Sequence, residues 1–245
     1  MIYIIPKSLA KGIRKPKHVE HLTYSEMKAK EFKNDDVIVS NLDSVVKYSN
    51  SKKINCVFLL KRNYRPNSKK ELFKFFITEK SLLPLCDALS KRTINQFKVE
   101  NRDSVINFIF DKKYKKTLLL HRKKPFWGYE PVKGGIDKEE SQKDAVIRET
   151  YEECGLKISD ILYTAPKPIV YNNINLETGK IRHTTAYVFV SVANTNSRTS
   201  INEKDAKRAF TDSKWFDIKT AKFKFVLPRY QLAFEYALKG LKNIK

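Results

Sequence analysis

Residues Lys133–Leu156 read KGGIDKEESQKDAVIRETYEECGL, and the rest of the chain is best read outward from them. Lys133-Gly134-Gly135 reads as a strand-side glycine loop that feeds one acid-rich helix. Ser141 stands at the N-cap position, with Asp144 three residues on, where a capping box takes an acceptor. From Ala145 to Cys154 there is no Gly or Pro, and Gly155 follows where a helix C-terminus prefers glycine. At about 100° per residue, Val146, Ile147, Thr150, Tyr151 and Cys154 fall on one mostly apolar arc expected to pack on a sheet. Glu149, Glu152 and Glu153 fall on the opposite arc beside Ala145, with Arg148 at its edge. The i, i+3, i+4 spacing sets three carboxylates side by side. They repel one another unless something positive neutralises them, and a hard divalent cation with oxygen ligands is the natural partner. For three glutamates alone, a solvated acidic face is the ordinary alternative.

The wider pattern narrows that choice. Gly134, Glu140, Arg148, Glu149, Glu152, Glu153, Gly155 and Leu156 stand at offsets that resemble the signature of the Nudix hydrolases, G-x5-E-x7-R-E-U-x-E-E-x-G-U, where U is a bulky aliphatic residue. One position departs: Thr150 fills a U place, which puts a hydroxyl on the buried arc and removes no ligand. The resemblance implies an α/β (α+β) Nudix fold, a mixed sheet sandwiched between helices, over residues 99–245. It also implies hydrolysis of a nucleoside diphosphate linked to another group, with Mg²⁺ or Mn²⁺.

Carried onto this chain, the family pattern makes Glu149 and Glu153 first metal ligands, with Glu152 sharing the metal or activating water. The Gly134 region would offer a backbone carbonyl. Glu140 becomes a secondary metal or structural carboxylate, and Arg148 orients a glutamate by ion pairing. Many members place a general base on a later loop, for which Glu203 and Asp205 are the candidates. Lys133 and Arg122, with Lys123 and Lys124, are candidates to meet phosphates. Phe126, Trp127, Tyr129 and Tyr171 are candidates to stack a nucleobase.

Around this stretch, 245 residues with 41% hydrophobic content suffice for one large domain or two small ones. The longest apolar runs, Val57–Leu60 and Val105–Phe110, are too short to span a membrane. The start MIYIIPKSL lacks the run and cleavage site of a signal peptide. Cys56, Cys86 and Cys154 are odd in number and widely spaced, which points to reduced, buried thiols in a cytoplasmic protein. The net charge of +22 is carried by both halves of the chain, so no single tail explains it. Such a balance attracts polyanions, RNA among them, and a lysine-rich proteome would explain it equally well. Oligomeric state is not written in the sequence.

Residues 1–98 are expected to form an N-terminal accessory region or small α/β domain. Strands are expected at MIYIIP, Asp35–Ser40 and Ile54–Leu60, and helix is allowed at Glu71–Phe76 and Leu82–Ser90. Lys11–Lys17 is a basic turn region, and Lys61–Lys70 a basic loop with an aromatic inside it. Beyond residue 98, Ser104–Phe110 and Thr117–His121 read as two strands about a turn. Lys167–Tyr171, Arg182–Ala193 and Lys214–Asp217 read as further strands, Asn194–Arg208 as a polar loop, and Arg229–Leu241 as a closing helix.

The string KGGIDKEE is similar to a form found in messenger-RNA decapping enzymes and dinucleoside tetraphosphate hydrolases, though Val132 stands where those carry Pro. The leading expectation is therefore a metal-dependent pyrophosphohydrolase acting on dinucleoside polyphosphates or RNA 5′ ends. Alternatives are a non-catalytic RNA- or nucleotide-binding module on the same scaffold, and a housekeeping nucleoside triphosphate pyrophosphatase.

Overall fold

The computed structural model describes residues 2–5, 19–33, 36–40, 42–52, 54–60, 75–78, 86, 89, 96–123, 128–158, 160–175, 180–201, 204–225 and 227–244. The chain divides into two compact units. One holds Met1–Arg62, Glu71–Asn101 and Tyr171–His183, and the other Asn63–Lys70, Arg102–Val170 and Thr184–Lys245.

The first unit contains strands β1 (Ile2–Ile5), β2 (Val19–His21), β3 (Val37–Ser40), β4 (Asn55–Leu60) and β5 (Phe75–Thr78). They form a five-stranded sheet in the order β2-β1-β3-β4-β5, parallel at every pairing. Parallel neighbours require crossovers, and helices α1 (Tyr24–Ala29) and α2 (Asp43–Ser51) supply two of them. Thr23 caps α1 in a reciprocal box with Glu26. Ile4, Ile38, Val39 and Val57 are fully buried, as expected of strands covered on both faces.

The three anticipated strands are present. Helix was allowed at Glu71–Phe76, but Phe75 and Phe76 lie in β5 and pair with Val57 and Phe58 of β4. In Leu82–Ser90, Cys86 and Leu89 are helical. The basic segments Lys11–Lys17 and Lys61–Lys70 lie outside the described residues.

The second sheet comprises β6 (Lys98–Asp111), β7 (Lys116–Arg122), β8 (Tyr129–Glu130), β9 (Val132–Gly135), β10 (Ile161–Thr164), β11 (Ile169–Asn175), β12 (Lys180–Ala193) and β13 (Phe210–Asp217). Its order is β10-β12-β6-β7-β13, with β11 on β12, β8 on β7 and β9 on β6. The Asp111 carboxylate accepts the N–H groups of Lys115 and Lys116, both at 2.6 Å, and so closes the β6–β7 turn. Near that turn β6 and β7 pair directly, Ile109 with Leu118 and Phe110 with Thr117. Farther along, Leu120 and His121 pair with β8, while Ser104–Asn107 pair with β9. The glycine stretch thus enters where β6 and β7 part. Lys133–Gly135 is strand, not loop, because β6 offers a free edge there.

Helix α3 (Gln142–Cys154) lies on one face of this sheet, and α6 (Pro228–Ile244) on the other. Val105 packs with Ala145 and Val146 on the α3 side. Ile109, Leu118, Leu120, Val132 and Phe210 pack with Cys154, Leu156 and Ala206 on the same side. On the α6 side Phe234 meets Phe108 at 5.1 Å and Phe225 at 5.4 Å between ring centroids. The sheet is therefore buried between helices, as the expected architecture requires. The Asn194–Arg208 stretch is not all loop: α4 (Lys204–Ala209) begins within it. A short α5 (Ile218–Ala221) follows β13, and β10 was not anticipated. Cys56, Cys86 and Cys154 are buried and are not joined in disulfides.

Candidate active site

Helix α3 starts and stops as its sequence suggests. The Ser141 side chain accepts the Asp144 N–H, and Gly155 takes a left-handed φ of 73°, which glycine adopts without strain. Its rotation differs from the helical-wheel expectation. Ile147 and Tyr151 are 38% and 47% exposed, whereas Ala145 and Glu153 are buried with Val146, Thr150 and Cys154. The helix lies on β9, where Gly134 leaves room for a side chain pointing at the sheet. The buried arc is thereby turned toward the carboxylates.

Gly134 makes that turn possible. A Cβ there would lie 1.8 Å from the carboxyl carbon of Glu149, so only glycine lets the helix carboxylate approach the strand. One turn on, Glu153 accepts the Lys133 backbone N–H at 2.9 Å. Burial pushes the Glu153 carboxyl up to about 8, against the pull of the Lys133 cation and N–H. Burial also raises Glu149, with Arg148 opposing it.

Arg148 organises the half-exposed side of the cluster. Its Nε and Nη2 donate to the two oxygens of Glu140, both at 2.8 Å. Its Nη1 donates to Glu149 at 2.9 Å and to Glu152 at 3.1 Å. Nη2 also reaches the Gly135 carbonyl at 2.9 Å. Bonding to Arg148 holds the Glu140 carboxyl below its ordinary range, and Glu140 further accepts the Asp137 N–H at 2.9 Å. Among the described residues no three His, Cys, Asp or Glu side chains are gathered as a ready-made metal cage; here the guanidinium stands among the carboxylates.

On the other side of Glu153, Glu130 of β8 is buried and takes Arg122 Nη1 at 2.7 Å and Lys133 Nζ at 3.3 Å. Burial pushes this carboxyl up, but Lys133 and Arg122, joined by the Tyr230 hydrogen bond and the Arg229 charge, together outweigh burial and hold it down. The same carboxylate, against the cost of burial, raises Lys133.

The structure thus brings together Gly134, Glu140, Arg148, Glu149, Glu152, Glu153, Lys133 and Arg122. Trp127 and Glu203 lie outside the described residues, as do Phe126, Lys124 and the Asp205 side chain. Tyr171 falls in the first unit. Tyr129 has its ring occupied, stacked on His121 at 4.6 Å and edge-on to Phe216 at 4.6 Å. Glu130 was missed. Its available signal was the i, i+3 spacing to Lys133, which on a turn between two short strands brings the pair together.

The NUDIX domain model matches residues 100–235, more than half of the chain. The chain belongs to the Nudix family. Nudix hydrolases act on phosphorus anhydrides and generally need divalent metal ions, so the chain is a hydrolase of that class.

None of the curated proteins matches the chain. Among solved structures it is similar to a C. elegans Ap4A hydrolase binary complex, with 17% identity over 58% of this chain and 98% of that one and a TM-score of 0.44. It is similar also to the E. coli dihydroneopterin triphosphate pyrophosphohydrolase, with 18% identity over 56% and 96% and a TM-score of 0.43. The MutT protein from Methanosarcina mazei Go1 shows 20% identity over 59% and 96%, with a TM-score of 0.42.

Proposed function

We propose that this Nudix hydrolase cleaves a phosphoanhydride bond in a nucleotide carrying a polyphosphate bridge, a dinucleoside polyphosphate or the 5′ end of an RNA, with Mg²⁺ or Mn²⁺ held by Glu149, Glu152 and Glu153. The observation that carries the reading is the close approach of the Glu149 carboxylate to Gly134, with Glu153 beside it on Lys133. The donors are all carboxylate oxygens, which suit a hard divalent cation. A cation bound there supplies charge to the bridging phosphates and acidifies a water.

The chain's own residues do the rest. Arg148 gathers Glu149 and Glu152 side by side, ready to be released to a cation, with Glu140 as its anchor rather than as a metal donor. To hold a cation Glu153 would have to be ionised, at the expense of the proton that burial favours. Lys133 and Arg122 present positive charge on the strand side, where further phosphates of a long bridge extend. The +22 charge favours a polyanionic substrate. Assignment to the cytoplasm belongs to the same proposal.

The test is a cleavage assay with Mg²⁺ or Mn²⁺, and with chelator, offering capped RNA, its free cap dinucleotide and diadenosine tetraphosphate. Cleavage of the RNA alone assigns decapping, and cleavage of the small dinucleotides alone assigns a dinucleoside polyphosphate hydrolase. Cleavage of none of the three with either metal refutes the proposal, and RNA binding without cleavage would leave the scaffold as a binder.

A further inference from the structure

We infer that Glu130 is a positioning residue that holds Arg122 and Lys133 together as a two-cation fork for the substrate phosphates lying beyond the metal-binding carboxylates; this rests on the pyrophosphohydrolase reading above. Both cations approach the same oxygen, Oε1 of Glu130, at 2.7 and 3.3 Å. Both also lie over one ring, that of the buried Phe210, at 5.4 and 5.5 Å from its centroid. The Tyr230 hydroxyl of α6 hydrogen-bonds the carboxylate as well.

Two like charges this close repel, and long basic side chains free to do so turn outward into water. A carboxylate only 3% exposed prevents that, while the Arg122 and Lys133 side chains remain 26% and 23% exposed. A buried ion pair built for stability needs one cation, and such pairs are weak evidence for stability in any case. Two cations on one carboxylate leave a unit of positive charge reachable from solvent. The Lys133 backbone joins this fork to Glu153, so the surplus stands next to the hydrolytic carboxylates. A polyphosphate is the anion that would use both.

The experiment is a double-mutant cycle on the substrate the wild type cleaves fastest. E130Q keeps the shape and removes the charge. With the fork loosened, kcat is expected to fall by roughly 10- to 100-fold while KM stays level or drops, because the net positive charge has risen. A purely structural role would instead lower the folded fraction and leave the parameters of the folded enzyme alone. In the R122A/K133A background, E130Q should change kcat no further. Wild-type kcat in E130Q, or a full additional loss in that background, overturns the inference. Should E130Q fail to fold, R122A and K133A singly and together serve instead, and additive losses overturn it. A wild-type protein that cleaves nothing, or an unimpaired E152Q, speaks against the hydrolase reading and not against the fork.

Discussion

One arginine ringed by carboxylates and one carboxylate ringed by cations stand on either side of Glu153. Arg148 gathers Glu140, Glu149 and Glu152 on the outward side of α3, where these groups keep some contact with water. Glu130 gathers Arg122 and Lys133 in the gap between β6 and β7, where it keeps almost none. The difference is one of adjustability. Ion pairs near solvent are held by small energies, so an arriving cation can redraw the first group. Breaking a buried pair strands a charge, so the second group stays as built. A site that must admit metal on one side and meet a fixed phosphate chain on the other needs both kinds.

The comparison is broken most completely from the adjustable side. Glu152→Gln is expected to lower metal-dependent turnover by roughly 100-fold or more at unchanged fold, read by kcat and thermal melting. A fully active variant would remove the carboxylates from the chemistry. Gly134→Ala tests the seam between the two groups. Its Cβ would meet the Glu149 carboxyl carbon at 1.8 Å, and displacement of that order costs about 100-fold. Turnover close to wild type would mean that the Glu149 side chain can swing aside and still serve the site.

The smallest effect sharpens the role of Glu153, the residue between the groups. Its folded carboxyl sits at about 8, above an unfolded value near ~4.3. The folded state thus holds a proton that the unfolded state has lost. Stability from this group is complete below the unfolded value and declines as pH rises through about 8. Without metal, melting temperature should fall between pH 6 and 8.5 in the wild type, and less steeply in Glu153→Gln. Mg²⁺ should flatten the wild-type slope, and equal slopes without metal would place Glu153 outside the buried cluster.

How far the sequence foretold this depends on how far apart the partners lie in the chain. The Ser141 cap, the Gly155 terminus and the Arg148–Glu149–Glu152–Glu153 run are local, and spacing alone exposed them. Helix rotation was not local. The wheel sent Ile147 and Tyr151 inward because they are apolar, yet the space under α3 is set by Gly134 on another element. Glu130 depended on Arg122 across a strand pair and on Tyr230 of the last helix, contacts that no periodicity encodes. In the first unit, strands showed as apolar runs, while the order β2-β1-β3-β4-β5 is a property of crossovers and not of any run.

The departure from the family signature at Thr150 carries a lesson about inheritance. Its hydroxyl, which donates to the Val146 carbonyl at 2.6 Å, receives the Asn107 amide at 3.0 Å. That amide also donates to Ser191 at 3.0 Å, and all three side chains are buried. Restoring an aliphatic residue, as in Thr150→Val, would leave the Asn107 amide short of an acceptor, at a cost of about 1–3 kcal/mol, visible as a lower melting temperature. The change that looks like a repair to consensus is therefore a lesion in this background. Asn107, Thr150 and Ser191 are one buried hydrogen-bonded unit, so the side chain tolerated at position 150 is set by its partners on two strands.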